Sequence, residues 1–219
     1  MGVYELLQSR KVTRLCHFTK VSSLTHILLN ESGILASSSV NDKEFINDSE
    51  RYDGNPDYVC CSIQYPNWWY YNKVEKQNQN SVFKNWVVLY IDLSILKNRK
   101  CKFCPCNAAK KRGYYIFEDE NKILDLYDSP NVLNHKRTTS MLSCCPTDDQ
   151  AEIQIQNNVP LRYISGIAVG NDEIARQVYS ILKTYNLSIP IIKSPDIFLT
   201  SSSGLIRRGI FPSEERVNY

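Results

Sequence analysis

Several short stretches of this chain alternate apolar and polar residues at period two, and others repeat apolar residues at helical spacing. Trp86-Val87-Val88-Leu89-Tyr90-Ile91 is a continuous apolar run and predicts a strand in the middle of a sheet. Tyr58 to Ile63 predicts a second buried strand, and Arg14 to Thr19 a short one with His17 and Thr19 on one face. Gln150 to Ile155 predicts a half-buried strand: Ala151, Ile153 and Ile155 face the core, while Glu152 faces the other way beside Gln150 and Gln154. Pro146, Asp148 and Asp149 make a loop that leads into it. Tyr163 to Val169 and Ile189 to Ile192 predict the last two strands.

The helical stretches are fewer. Val3 to Arg10 predicts a first helix. Lys20 to Asn30 carries Val21, Leu24, Ile27 and Leu28 on one face, with Ser22 or Ser23 as N-cap and Gly33 as the stop that follows. Asn171 to Tyr185 carries Ile174, Val178, Ile181 and Leu182, capped by Asn171 or Asp172. Ser37 to Pro56 is a long polar loop, and loops of that length inside a domain are usually functional or disordered. Asp119 to His135 reads as irregular. The stretch from Thr200 lacks pattern and predicts a mobile tail. With many strands and few helices in mixed order, the fold class is α+β. The 219 residues suit one domain over 1–219 with a substantial core.

Composition narrows the class only a little. Hydrophobic content of 42% and charged content of 22% are those of a soluble globular protein. A net charge of +3 permits nucleic acid as a partner without arguing for it. No stretch approaches the ~20 apolar residues of a membrane span, and the first residues have no apolar signal core, so a cytoplasmic protein with no membrane partner is expected. In that compartment the eight cysteines are free thiols or metal ligands rather than a disulfide framework. Cys101-x-x-Cys104-x-Cys106 with Cys144 and Cys145 offers a set of zinc ligands, but the spacing is not that of a zinc ribbon, and the expected metal is none.

The chain lacks a GxxxxGK[ST] loop, a GxGxxG turn and a GxSxG elbow, which excludes the commonest nucleotide-binding and hydrolase signatures. Cys16 and His17 are adjacent on a strand and so point to opposite faces, which spoils them as a catalytic pair. A dispersed set remains: His17, Thr19, Ser62, the aromatics Trp68 to Tyr71, and Glu152. Taken singly, His17 reads as a structural histidine, Arg51 as a solvated cation and Glu152 as the solvated face of an edge strand. Four adjacent aromatics cannot all point inward on a strand, so at least two are expected to line a groove and to be available for stacking on unpaired bases.

Taken together, the blocks resemble a known family. Leu15-Cys16-His17-Phe18-Thr19, then Leu24, Ile27 and Gly33-Ile34-Leu35, look like the opening of the DarT family of nucleic-acid ADP-ribosyltransferase toxins. Arg51, the Ser-x-x-x-Pro-Asn-x-x-x-Tyr stretch from Ser62 to Tyr71, and Gln150-Ala151-Glu152 match that family's later blocks in the same order. The resemblance runs from Arg14 to about Leu182. It implies a split, mostly antiparallel β core that binds NAD as co-substrate. It also implies Glu152 as the catalytic glutamate and Arg51 as a loop arginine at the NAD phosphates or the acceptor base. On the cofactor side it implies His17 and Thr19 near the nicotinamide, with Ser62 and a stacking Tyr71.

The implied partners are a base of single-stranded DNA or RNA and an antitoxin protein, in a toxin–antitoxin or phage-defence setting. The segment Cys101 to Phe117 differs from the family pattern and carries Lys100, Lys102, Lys110, Lys111 and Arg112, which suit DNA and RNA equally. A non-catalytic interaction domain, stapled by zinc at Cys101, Cys104, Cys106 and Cys144, is the alternative.

Overall fold

The computed structural model describes residues 2–29, 31–41, 50–77 and 85–219. In chain order the elements are α1 (Val3–Ser9), β1 (Arg14–Lys20), α2 (Val21–Leu28), β2 (Ile34–Leu35), β3 (Tyr58–Ile63) and α3 (Trp68–Gln77). Then come β4 (Trp86–Asp92), β5 (Cys101–Cys104), β6 (Glu152–Gln156), β7 (Asn158–Val159), β8 (Ile164–Val169) and α4 (Asp172–Thr184). β9 (Ile191–Lys193), α5 (Ser202–Arg207) and β10 (Glu215–Val217) complete the chain. The fold is α+β, as the alternating pattern predicts.

One eight-stranded sheet orders its strands β10-β9-β8-β4-β1-β3-β6-β5, and β2 pairs with β7 outside it. Every neighbouring pair is antiparallel except β8 with β9. The apolar run of β4 is buried along its whole length from Trp86 to Ile91, between β1 and β8. A strand covered on both faces has no use for alternation, which is why its sequence shows none. β6 also lies inside the sheet, flanked by β3 and β5, so Glu152 is not on an edge strand. Helix α4 buries Ala175, Val178 and Leu182, and the Asn171 side chain caps it by accepting from the Ile174 N–H at 3.0 Å.

Several predicted features differ. Neither Ser22 nor Ser23 caps α2: the chain passes from β1 directly into the helix with Lys20 at the N-cap, so both serines fall inside the first turn and Ser23 is buried. The aromatic run from Trp68 opens a helix rather than flanking a strand. Asn67 starts it, its Oδ1 accepting from the Tyr70 N–H at 3.1 Å. The irregular stretch after Asp119 contains a 3₁₀ segment, Glu120–Tyr127.

The tail expected to be patternless and mobile instead forms α5 and the edge strand β10. Glu214 holds it to the centre of the sheet through a bidentate ion pair with Arg14 and a 2.7 Å hydrogen bond from the Tyr90 hydroxyl. A three-residue strand is too short for periodicity to show, and its anchor comes from the far end of the sequence.

Candidate active site

The site begins where the sheet splits. β1 pairs with β4 over seven positions but with β3 only at Leu15–Ile63 and Cys16–Ser62. Past Cys16 the two strands part, and β3 continues its pairing with β6 instead. The His17 ring spans the opening, with Nδ1 2.9 Å from the Cys60 carbonyl oxygen. A carbonyl can only accept, so Nδ1 carries the hydrogen and Nε2 is left as an acceptor in the neutral ring. Burial pushes the imidazole's pKa down, and nearby Arg51 pushes it further, so His17 is neutral at neutral pH.

Around this opening lies a cavity of about 610 Å³, within the range of small-molecule and cofactor sites. His17, Thr19, Arg51, Ser62, Tyr70 and Glu152 all line it. β6 places Glu152 on its floor, directly opposite Ser62 of β3 on one side and Cys104 of β5 on the other. The Ala108 N–H donates to Glu152 Oε1 at 3.0 Å, and the nearby Cys60 thiol also favours the ionised carboxylate. Burial is nevertheless the larger effect. With the neighbouring Asp53 charge it outweighs the Ala108 N–H, the Cys60 thiol and Arg51, and pushes the carboxyl up to about 7. A strand-held carboxyl, part ionised at neutral pH, faces the cavity, where it would stabilise a developing positive charge.

Arg51 takes a different place from the one a free phosphate-binding fork would need. It sits at φ 40°, in the left-handed region, and its side chain is 11% exposed. Nε and an Nη grip Asp53 at 2.9 and 2.8 Å. The remaining donors reach Ser37 Oγ at 3.1 Å, the Tyr58 carbonyl at 2.8 Å and the Asn55 carbonyl. All five N–H groups are therefore engaged within the protein. Arg51 organises the loop that walls the cavity and lends it positive charge. Burial pushes the Asp53 carboxyl up, but hydrogen bonds and charge from Arg51 outweigh it and hold the group below the usual carboxylate range.

Asp53 also accepts from Gln154 Nε2 at 2.8 Å, which ties this loop to the Glu152 strand. Sequence reasoning missed Asp53 and Gln154. A glutamine two residues from Glu152 is on the same strand face, and that was the available signal.

Tyr71 lies outside the cavity lining. Its ring stacks on Phe18 at 5.4 Å and meets Trp86 and Phe198 edge-on, because the ~100° step from one helix residue to the next turns it away from the cavity that Trp69 and Tyr70 face. Trp69 and Tyr70 line the cavity in its stead, so two of the four aromatics do line a groove. Ser62 lines the cavity, and its Oγ accepts from the Asn67 N–H at 3.1 Å.

The candidate zinc ligands do not converge. Cys104 and Cys106 share a small buried cluster with Ala108, whereas Cys144 sits in the main core with its Sγ 3.9 Å from that of Cys145. Among the described residues no three His, Cys, Asp or Glu side chains gather as a metal site. Likewise, no helix among the described residues is long and apolar enough to cross a membrane.

A split antiparallel sheet with a glutamate on the cavity floor defines an ADP-ribosyltransferase fold. Residues 16–199 match the family described as ssDNA thymidine ADP-ribosyltransferase, DarT. The chain belongs to the DarT family, an enzyme family.

Among solved structures, Thermus sp. 2.9 DarT in complex with NAD+ superposes with a TM-score of 0.64 at 15% identity, covering 86% of this chain and 98% of that one. The same protein in complex with ADP-ribosylated ssDNA gives a TM-score of 0.64 at 13% identity, covering 86% and 97%. Thermosipho africanus DarTG in complex with ADP-ribose gives 0.56 at 19% identity, covering 85% of this chain and 51% of that longer one. No curated protein matches the chain by sequence.

Proposed function

We propose that residues 1–219 act as one catalytic domain that transfers ADP-ribose from NAD to a thymine base of single-stranded DNA. The observation that carries this reading is Glu152, held on an internal strand at the floor of the split, opposite Ser62 and across from a neutral His17. Breaking the nicotinamide–ribose bond sends the electron pair to nicotinamide and leaves positive charge on the ribose carbon. The transition state has the same oxocarbenium character as glycoside hydrolysis. The Glu152 carboxylate, accepting from a ribose hydroxyl, stabilises that charge, and a fixed group of this kind is worth ~3–4 kcal/mol of barrier. The ring N–H nitrogen of thymine then supplies the electron pair of the new bond to the ribose carbon and releases its proton to water.

His17 and Thr19 would hold the nicotinamide end from β1, and Ser62 would approach from β3. Trp69 and Tyr70 offer aromatic faces for the stacking role that the family resemblance implies for Tyr71. Arg51 acts through position, keeping the 50–58 loop against the cavity.

Support for single-stranded DNA as acceptor comes from the family's description and from the Thermus protein solved with its ADP-ribosylated ssDNA. The Thermosipho DarTG structure supports a toxin restrained by an antitoxin. The chain would then act in the cytoplasm, where its DNA lies.

Incubation with labelled NAD and separate pools of DNA, RNA and protein tests the reaction. Label on single-stranded DNA alone is expected. Label on RNA or protein alone would overturn the acceptor, and none anywhere would overturn the enzyme.

A further inference from the structure

Beyond the cavity, the segment after Ala109 is shaped in a way the catalytic site does not require. Lys110, Lys111 and Arg112 follow one another on the surface, all exposed. None has an ion-pair partner among the described residues. Lys111 (φ 47°, ψ 37°), Arg112 (φ 54°, ψ 49°) and Gly113 (φ 85°) are three consecutive residues in the left-handed region, which side-chain-bearing L-residues avoid. Such a conformation persists only where the surroundings enforce it.

Here they enforce it from both ends. On one side the Ala108 N–H is bonded to Glu152. On the other, Gly113 packs so tightly on the Asp53 carbonyl that an added Cβ would lie 2.6 Å from its oxygen. The turn is thus clamped between the Glu152 strand and the Arg51–Asp53 loop, at the rim where Ala109 meets the cavity. Tyr114 follows it, 71% exposed, with Lys111 Nζ 5.6 Å from its ring centre.

We infer that this turn, Lys110 to Tyr114, is a track for the single strand that flanks the reacting base. The three cations meet successive phosphates, and Tyr114 offers a stacking face to an unpaired base. Three positive charges with no ion-pair partner among the described residues, beside an exposed aromatic that Lys111 and the edge of Tyr115 help to hold, fit a polyanion whose bases are exposed, and a duplex would not present those bases. The inference rests on single-stranded DNA being the acceptor, and it adds where the strand runs.

The test is fluorescence anisotropy of the full chain with a labelled mixed-sequence single strand across a range of potassium chloride concentrations. Each phosphate contact contributes about 0.7 to the slope of log affinity against log salt for single strands, so K110Q/K111Q/R112Q should flatten that slope by about 2. Tyr114→Ala should weaken binding about tenfold with the slope unchanged. K110R/K111R, which keeps the charge, should bind as the unaltered protein does. NAD binding, followed by calorimetry, confirms that each variant is folded.

An unaltered slope in the triple glutamine variant would overturn the inference. So would a loss of NAD binding in step with DNA binding, since the turn would then be a structural support. Because strand binding is measured without turnover, a failed transfer reaction would count against the proposed chemistry and leave this measurement intact.

Discussion

Glu152 should destabilise the folded protein at the pH where it works, and Glu152→Gln exposes this. The half-buried carboxyl titrates near 7 rather than its ordinary 4.5, so between those values the folded chain keeps a proton that the unfolded chain has lost. Below pH 4.5 both states are protonated and the site is neutral to stability. As pH rises toward 7 the folded state progressively loses ground, and above 7 the full difference applies. At 1.36 kcal/mol per pH unit that difference is about 3 kcal/mol, reduced to ~1–3 kcal/mol by water at the cavity mouth.

Glutamine matches the protonated side chain in shape, keeps an oxygen for the Ala108 N–H, and cannot ionise. Urea unfolding at pH 4.5 and pH 8 is the assay. The variant should match the wild type at pH 4.5 and exceed it by ~1–3 kcal/mol at pH 8, while losing about 100-fold or more of the transfer rate. In the wild type, transfer should rise about tenfold from pH 6 to pH 8 as the carboxylate forms. A variant no more stable than the wild type at pH 8 would refute the desolvation argument. A variant that transfers at the wild-type rate would refute the catalytic role.

Asp53→Ala should unfold the 50–58 loop or the whole chain, at ~3–5 kcal/mol in chemical denaturation, because it leaves the buried Arg51 guanidinium unpaired. Tyr71→Ala should lower stability by ~2–4 kcal/mol through the lost stack with Phe18, whereas Tyr70→Ala should instead weaken NAD binding in calorimetry with little change in Tm. Gly33→Ala should lower Tm by several degrees, since φ is +65° there and the new methyl would lie 2.2 Å from the Val159 carbonyl oxygen. Expression of the intact chain without a restraining partner should arrest growth, and unaffected growth with soluble protein would count against a toxin.

The strands and helices with long uniform patterns were legible because burial on a single face, or on both, leaves a period that sequence displays. β4, β3 and α4 were legible in this sense, as was the parity that put Glu152 and Gln154 on one side of β6, whereas Gln150 falls in the turn before the strand. The order of the blocks also pointed to the family. Short or surface-mediated elements were not legible. β10 has three residues, β5 four, and α3 opens with aromatics whose destinations depend on helix rather than strand geometry.

What the sequence determined by itself was therefore the set of apolar faces and the residues they carry, since those follow from local periodicity. Which of those residues meet was decided in three dimensions. The parting of β1 from β3 after Cys16 opens the cavity. Long-range bonds from Asp53 to Arg51 and Gln154 turn a loop cation into an internal clamp. The burial of β6 between two neighbours, rather than on an edge, raises the Glu152 pKa. Desolvation and pairing depend on neighbours dozens of residues away, and no local pattern encodes that distance.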